Sequence, residues 1–226
     1  DNDWAYKEKA TGSSYQWNNK NFNMNMGGIV KNVWLHVKDE VYQTLPLFSN
    51  LGTTGVYVYG TDYDVKGKRM TCNVESQVVN ASAKARRIAL MVSVMDIDGK
   101  RVAEFHGKEM MVGAGDTVSL RACKAMRNVH FWSWGYGYLY QVKTMLKDAN
   151  GTQSDAVITR TGFRKTRFGE GKIWLNDRVI MMHGYAQRTS NEWPGVGLSI
   201  PAWLSDYSNA LMVESGANLV RWMHVT

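Results

Sequence analysis

The sequence predicts a mainly β chain, an immunoglobulin-like antiparallel β-sandwich followed by a single βαβ unit, and three observations lead there. From Val33 to about Arg164, short runs rich in β-branched and aromatic residues follow one another with no helical periodicity between them. Turn residues separate these runs: Asp98-Gly99, Gly113-Ala114-Gly115-Asp116 and Asp148-Ala149-Asn150-Gly151. Only after Pro201 does a helical period appear, and an apolar strand follows it.

Residues 1–26 are polar and irregular, with Trp4, Tyr6, Tyr15, Trp17 and Phe22 interspersed, as in a long loop pinned by aromatics. Beyond Gly27-Gly28, Ile29, Val33, Leu35 and Val37 fall mostly at alternate positions, which predicts a first half-buried strand. Further strands are expected at Val56–Tyr59, Met70–Val79, Ile88–Met95, Val102–Phe105, Thr117–Leu120, Tyr138–Leu146 and Ala156–Phe163. Seven or eight short strands of this kind make an antiparallel sandwich. The likeness to immunoglobulins rests on strand count, because Arg87–Met95 carries no Trp and the Cys, Trp, Cys pattern is missing.

After Arg164 the organisation changes. Ile173-Trp174-Leu175 and Arg178-Val179-Ile180 flank Asn176-Asp177, a hairpin signal, and Met181-Met182-His183 extends the second run to Gly184. A loop with Pro194, Gly195 and Gly197 follows. Trp203, Tyr207, Ala210, Leu211 and Val213 then share one helical face, between a Pro201 start and a Gly216 stop. Strand, helix and the apolar run Leu219–Val225 make one βαβ unit, the beginning of a parallel sheet. A (β/α)8 barrel takes about 250 residues, and an open doubly wound sheet also needs several such units, so the expectation is a fragment of a larger protein.

Composition bounds the function classes. Lys and Arg outnumber Asp and Glu by 27 to 20, but the basic residues are scattered. The densest group, Lys84, Arg86 and Arg87, lies near no helix-turn-helix, finger or ribonucleoprotein signature, so no nucleic-acid partner is expected. No run approaches the roughly eighteen apolar residues of a membrane span, and no membrane partner is expected. Asp1 opens without the blocks of a signal peptide, so the start reads as internal or processed, and a soluble protein, exported or periplasmic, is compatible with it. Cys72 and Cys123 lack metal spacing and are expected to be buried free thiols. Asn80-Ala81-Ser82 and Asn150-Gly151-Thr152 match the glycan acceptor pattern.

Three stretches resemble glycoside hydrolase family 2, the β-galactosidase, β-mannosidase and β-glucuronidase group. Gly27-Gly28-Ile29-Val30-Lys31-Asn32-Val33-Trp34-Leu35 is similar to that family's junction between a sugar-binding jelly roll and its sandwich. Trp132-Ser133 followed by Tyr138-Leu139-Tyr140 resembles its sandwich motif. Gly162-Phe163-Arg164, the hairpin at Asn176, His183-Gly184 and Asn218 to His224 resemble its passage into a catalytic barrel. The resemblance implies that residues 1–35 are the end of the jelly roll and a linker, 36–163 the immunoglobulin-like sandwich, and 164–226 the incomplete start of a TIM barrel, whose truncated (β/α)8 fold opens with the βαβ unit. It implies part of a retaining exo-β-glycosidase, with β-galactosidase the expected specificity and a terminal β-galactoside-type glycan the expected partner.

Barrel active sites lie at the carboxyl ends of the strands. Arg221 matches the family's arginine that orients the nucleophilic carboxylate, and His224 its histidine that contacts sugar hydroxyls. Arg188 stands about where the family carries a histidine after the first strand, and Trp193 is expected beside the cleft. Trp222-Met223 before His224 and Val225-Thr226 after it depart from the family pattern. Retaining glycosidases need two carboxyls about 5 Å apart. The family supplies both from later strands, so no catalytic residue is expected in these 226 residues. Asn191-Glu192 mimics the family's Asn and acid/base Glu, but it comes several elements too early and reads as loop chemistry; Asp206 and Glu214 read as solvated helix positions. No cofactor is evident, and a divalent cation in the parent enzyme and the oligomeric state are open. The alternative reading is a non-catalytic carbohydrate-binding or adhesion module, since a sandwich hosts many functions.

Overall fold

The computed structural model describes residues 9, 12, 32–46, 51–188 and 201–223. The chain divides into two compact units, Val37–Ile180 and a second formed by Asp1–His36 with Met181–Thr226. It is mainly β, and every strand pair of the larger unit is antiparallel.

In the larger unit, β1 (Val41–Gln43) and β2 (Val56–Asp64) share one edge of β3 (Arg69–Asn80), and β7 (Thr117–Arg127) lies along the other. The second sheet is centred on β4 (Arg86–Met95), with β5 (Arg101–His106) and β6 (Met110–Val112) on one edge. On its other edge come β8 (Tyr140–Asp148) and then β9 (Gln153–Thr161). The adjacency of β3 with β7, and of β4, β8 and β9, is that of strands B and E and of C, F and G in immunoglobulin-type sandwiches. The period of two does the rest. Met70, Cys72, Val74 and Val78 of β3 point to the same side as Leu120 and Ala122 of β7, and they share one core with Leu90, Val92 and Val94 of β4 and Val142 and Leu146 of β8.

Two buried polar groups fix the ends of this core. The Asn80 side chain is fully enclosed: its Nδ2 donates to the carbonyls of Lys84, Val112 and Gly113 at 2.9–3.0 Å. Its Oδ1 accepts from the backbone N–H and the hydroxyl of Ser82 at 3.1 and 2.6 Å. This satisfies both ends of the amide and leaves no room for a glycan, so that acceptor triplet is structural; Asn150, by contrast, is exposed in a turn. At the other end, the Tyr140 hydroxyl at the start of β8 accepts the backbone N–H of His130 at 2.9 Å. This is the tyrosine corner that ties the β7–β8 connection of such sandwiches. Burial pushes the Tyr140 hydroxyl up to about 12.

The turns obey their residues. Asp96 and Asp148 each cap a hairpin loop by accepting two backbone N–H groups, and Gly99 and Gly151 supply the positive φ each loop needs. A three-stranded sheet follows, β10 (Thr166–Gly169), β11 (Lys172–Leu175) and β12 (Arg178–Ile180). Asn176 and Asp177 stand at φ 49° and 63°, the two left-handed positions of a type I′ hairpin.

Three expectations need correcting. Residues 32–39 form no strand, and Val33, Trp34, Leu35 and Val37 are exposed. Alternation alone does not make a strand: among the described residues, pairing that would satisfy the backbone begins only at Val41, against Asn80. Of the two cysteines, both free, Cys72 is buried but Cys123 is exposed, because the parity of β7 turns it to the outer face. Burial, with Cys123 nearby, pushes the Cys72 thiol up to about 12. The run Met181–His183 does not extend β12; a new strand, β13 (Gly184–Arg188), starts where a loop was expected.

Candidate functional site

In the smaller unit β13 and β14 (Leu219–Met223) pair in parallel, and α1 (Ala202–Glu214) connects them. The register runs Gly184 with Leu219, Ala186 with Arg221, and Arg188 with Met223. Gly184 is required at this approach, because a Cβ there would sit 2.3 Å from the Leu219 carbonyl oxygen. Asn218 locks the entry. Its Oδ1 accepts the His183 N–H at 3.0 Å, its Nδ2 donates to the Met181 carbonyl at 2.8 Å, and its own N–H bonds the His183 carbonyl.

The helix begins at Pro201, which occupies the extended N-cap position, and ends in a Schellman arrangement. Ala217 N–H bonds the Met212 carbonyl, Gly216 N–H bonds the Val213 carbonyl, and Gly216 takes φ 85°. Its inner face is Leu204, Ser208 and Met212, spaced by four. Ser208 accepts the side-chain amide of Gln187, and Ser215 meets the Tyr185 hydroxyl at 3.1 Å. The face expected to carry the apolar stripe, Trp203, Tyr207 and Leu211, is exposed within this structure, as are Asp206 and Glu214.

These contacts orient the strand pair. Tyr185 and Gln187 turn toward α1, so Ala186 lies on the opposite face, and Arg221, its register partner, shares that face. Arg221 is exposed there, near the carboxyl end of β14. Arg188 is the last residue of β13, so it stands at the same end of the pair as Met223. His224 and Trp193, and the Asn191-Glu192 pair, lie outside the described residues. The sequence reading missed Gln187, whose Oε1 is buried with no partner among the described residues, and nothing in the pattern marked it.

The larger unit gathers the other motifs into one brace. The Trp132 N–H bonds the Phe163 carbonyl at 2.8 Å, and its carbonyl accepts the Asn176 amide at 2.9 Å. Gly162 leaves space for the Trp132 side chain, which a Cβ would meet at 2.8 Å. The Arg164 guanidinium lies 5.3 Å over the indole, and Asn176 Oδ1 accepts the Lys165 N–H at 3.0 Å. Trp132-Ser133, Tyr140, Gly162-Phe163-Arg164 and Asn176 are thus one constellation: it closes the sandwich and fixes the departure of the chain into β10. Among the described residues, no three His, Cys, Asp or Glu side chains cluster to hold a metal ion.

Comparison with known proteins bears on this same constellation. The family model for Glycosyl hydrolases family 2 matches residues 56–164, from β2 to Arg164. A curated β-glucuronidase of Formosa agariphila is 34% identical over 92% of this chain, which spans 21% of that protein. The chain belongs to glycoside hydrolase family 2. A β-galactosidase of Bacteroides ovatus is 25% identical over 87% of the chain and is spanned to 22%. Among solved structures, a family 2 β-glucuronidase matches with a TM-score of 0.80 at 33% identity, covering 92% of this chain and 21% of its own. β-Glucuronidase 2 of Bacteroides uniformis, at 22% identity and a TM-score of 0.75 over 89% of this chain and 24% of its own, shares the fold. The chain therefore spans about a fifth of the length of the relatives it matches.

Proposed function

We propose that these residues are the sandwich and the first barrel elements of a longer retaining β-glycosidase that removes terminal β-linked sugars. The observation that carries the reading is the parallel β13–α1–β14 unit that follows a family 2 sandwich and the β10–β12 sheet in the chain, with Arg221 on the face away from the helix. In a (β/α)8 barrel that face is the interior, and the carboxyl ends of the strands form the site. Arg221 would hold and orient a carboxylate there through charge-assisted hydrogen bonds. His224 would contact sugar hydroxyls, with Arg188 and Trp193 lining the cleft. The two carboxyls that retaining chemistry needs, about 5 Å apart, would come from later strands.

The sugar is the finer question. The expected β-galactoside has support from the 25% identical β-galactosidases, but the 34% identical relative is a β-glucuronidase, and it favours a β-glucuronide. The test is a panel of 4-nitrophenyl β-D-glucuronide, β-D-galactoside and β-D-mannoside given to the longer protein and to these 226 residues alone. The longer protein is expected to release nitrophenol from one of them, the glucuronide first, with the β-anomer as the initial product by NMR. The 226 residues are expected to be inert. Turnover by the short chain, or an inverted product from the long one, would overturn the reading.

A further inference from the structure

A cleft of about 760 Å³ lies on the outer face of the first sheet of the sandwich, within the range of small-molecule sites of about 300–1,000 Å³. Strand parity builds its floor. Glu75 and Arg121 line it from one row across β3 and β7, a row that Tyr57 of β2 continues beyond the lining, and Tyr59, Asn73 and Cys123 line it from the next. The turn from His106 to Met110 is the wall, and it is held against the floor by Gly107, whose missing Cβ would stand 2.2 Å from the Arg121 carbonyl oxygen. The Gly107 N–H bonds the Leu90 carbonyl, so the wall is tied into the second sheet.

The floor is organised rather than merely exposed. Tyr57 and Tyr59 stack with ring centres 5.0 Å apart, and Tyr57 stays 62% exposed. The Glu75 carboxylate accepts the Tyr59 hydroxyl at 3.0 Å on one oxygen and faces the Arg121 guanidinium at 3.4 Å on the other. Its charge is thereby used internally, while the exposed Arg121 keeps N–H groups free to point outward. Lys108 projects from the wall and has no ion-pair partner among the described residues; His106 lies beside it. The Asn73 amide donates to Thr61 and to the Thr71 carbonyl, which leaves its oxygen to accept. Two cations, an aromatic platform and amide and hydroxyl groups at Asn73 and Ser119 suit a ring with both a carboxylate and hydroxyls.

We infer that this cleft is a non-catalytic binding site for a uronate-bearing saccharide, with Arg121 and Lys108 on the carboxylate, Tyr59 against the ring and backed by the stacked Tyr57 outside the lining, and Asn73 and Ser119 on hydroxyls. The site goes beyond the glycosidase reading and does not rest on it, since the cations and the platform belong to the sandwich alone. Its floor lies on strands whose backbone positions are set by the core, so little backbone ordering is needed when the ligand arrives.

The test is an NMR titration of the 226-residue chain with a hyaluronan tetrasaccharide, against chitotetraose as a neutral saccharide and short polyglutamate and single-stranded DNA as anions without uronates. Saturable shifts confined to residues around Tyr59, Asn73, Ser119 and Arg121 are expected with hyaluronan only. Arg121→Gln and Lys108→Gln are each expected to weaken binding about tenfold, and Tyr57→Ala about fivefold; each side chain is exposed, so the melting temperature serves as the folding control. Equal binding of polyglutamate or DNA would make this a general polyanion surface and overturn the proposal. So would equal binding of chitotetraose, no binding at all, or hyaluronan binding that survives both cation substitutions. Hydrolysis by the longer protein is read in a separate assay, so failure of this site and failure of the glycosidase reading are distinguishable.

Discussion

The sandwich and the βαβ unit draw on the same kinds of residue, yet their interiors differ. In the sandwich, nearly every inward position of β3, β4 and β8 is sealed, including polar Asn80, Ser76 and Thr144, whose hydrogen bonds are made inside. In the βαβ unit only Leu204 and Ala217 are buried among the described residues, and Trp203, Tyr207, Leu211 and Val213 are uncovered. A lone parallel pair with one helix cannot enclose a core, because each face of a parallel sheet needs its own layer. The first region specifies itself. The second specifies local geometry, namely a helix stop, a register and an arginine on a chosen face, and leaves burial to whatever it packs against.

Heat or denaturant can break that contrast most strongly. Leu146→Ala, at a fully buried position of β8, is expected to lower the stability of the sandwich by about 3 kcal/mol. Leu204→Ala, although it removes the most buried side chain of α1, is expected to leave the main unfolding transition of the 226-residue chain where it was. Urea curves followed by tryptophan fluorescence would compare the two, and a shared loss would show one cooperative unit rather than two. Asn80→Ala comes next. It removes three donor contacts to carbonyls and the acceptor for the Ser82 N–H and hydroxyl inside the sandwich, and a cost of about 2–3 kcal/mol is expected by the same curves.

Asn176→Ala separates turn from brace. Alanine tolerates φ 49° poorly and also drops the bonds to Trp132 and Lys165, so about 2 kcal/mol is expected. Asn176→Gly keeps the turn and loses only the bonds, and it should recover about half of that loss. The most gradual effect is in alkali. The Cys72 thiol has its ordinary value near 9.0 once unfolded, but burial pushes it up to about 12 when folded, and the Tyr140 hydroxyl is pushed from 10.0 to about 12. Folded values above unfolded ones mean that the stability these groups contribute is complete below pH 9 and is lost as pH rises toward 12, by at most about 1.4 kcal/mol per pH unit for each. Cys72→Ala should flatten most of the decline in stability between pH 9 and 10, where Tyr140 contributes less because its unfolded value is a unit higher. A thiol reagent near neutral pH should label exposed Cys123 and spare Cys72 in the native chain.

Much of this was legible in the residues because it depends on local chemistry. The period of two across β3, β4 and β8, the Asn176-Asp177 turn, and Pro201 and Gly216 at the ends of α1 are each decided by neighbours within a few positions. What was not legible depends on partners. Residues 32–39 alternate like a strand but pair with no strand among the described residues, whereas Gly184–Arg188 carries two residues, Gly184 and Ala186, that argue against a strand and becomes one because β14 is there to pair with it. The outer parity of β7, which exposes Cys123 and builds the cleft with Arg121, follows from a register that no single run displays. Of the candidate site, Arg221 could be named and its face deduced, while His224 and Trp193 lie outside the described residues.

The division of labour between the two regions is tested most directly by Arg221→Ala in the longer protein, assayed as kcat/KM on 4-nitrophenyl β-D-glucuronide with the melting temperature measured in parallel. If the βαβ unit delivers a site residue and the sandwich carries the fold, kcat/KM should fall by about a hundredfold or more, as expected for loss of a charge-assisted contact to a reacting carboxylate, with the melting temperature unchanged. Activity within twofold of the parent protein would contradict it.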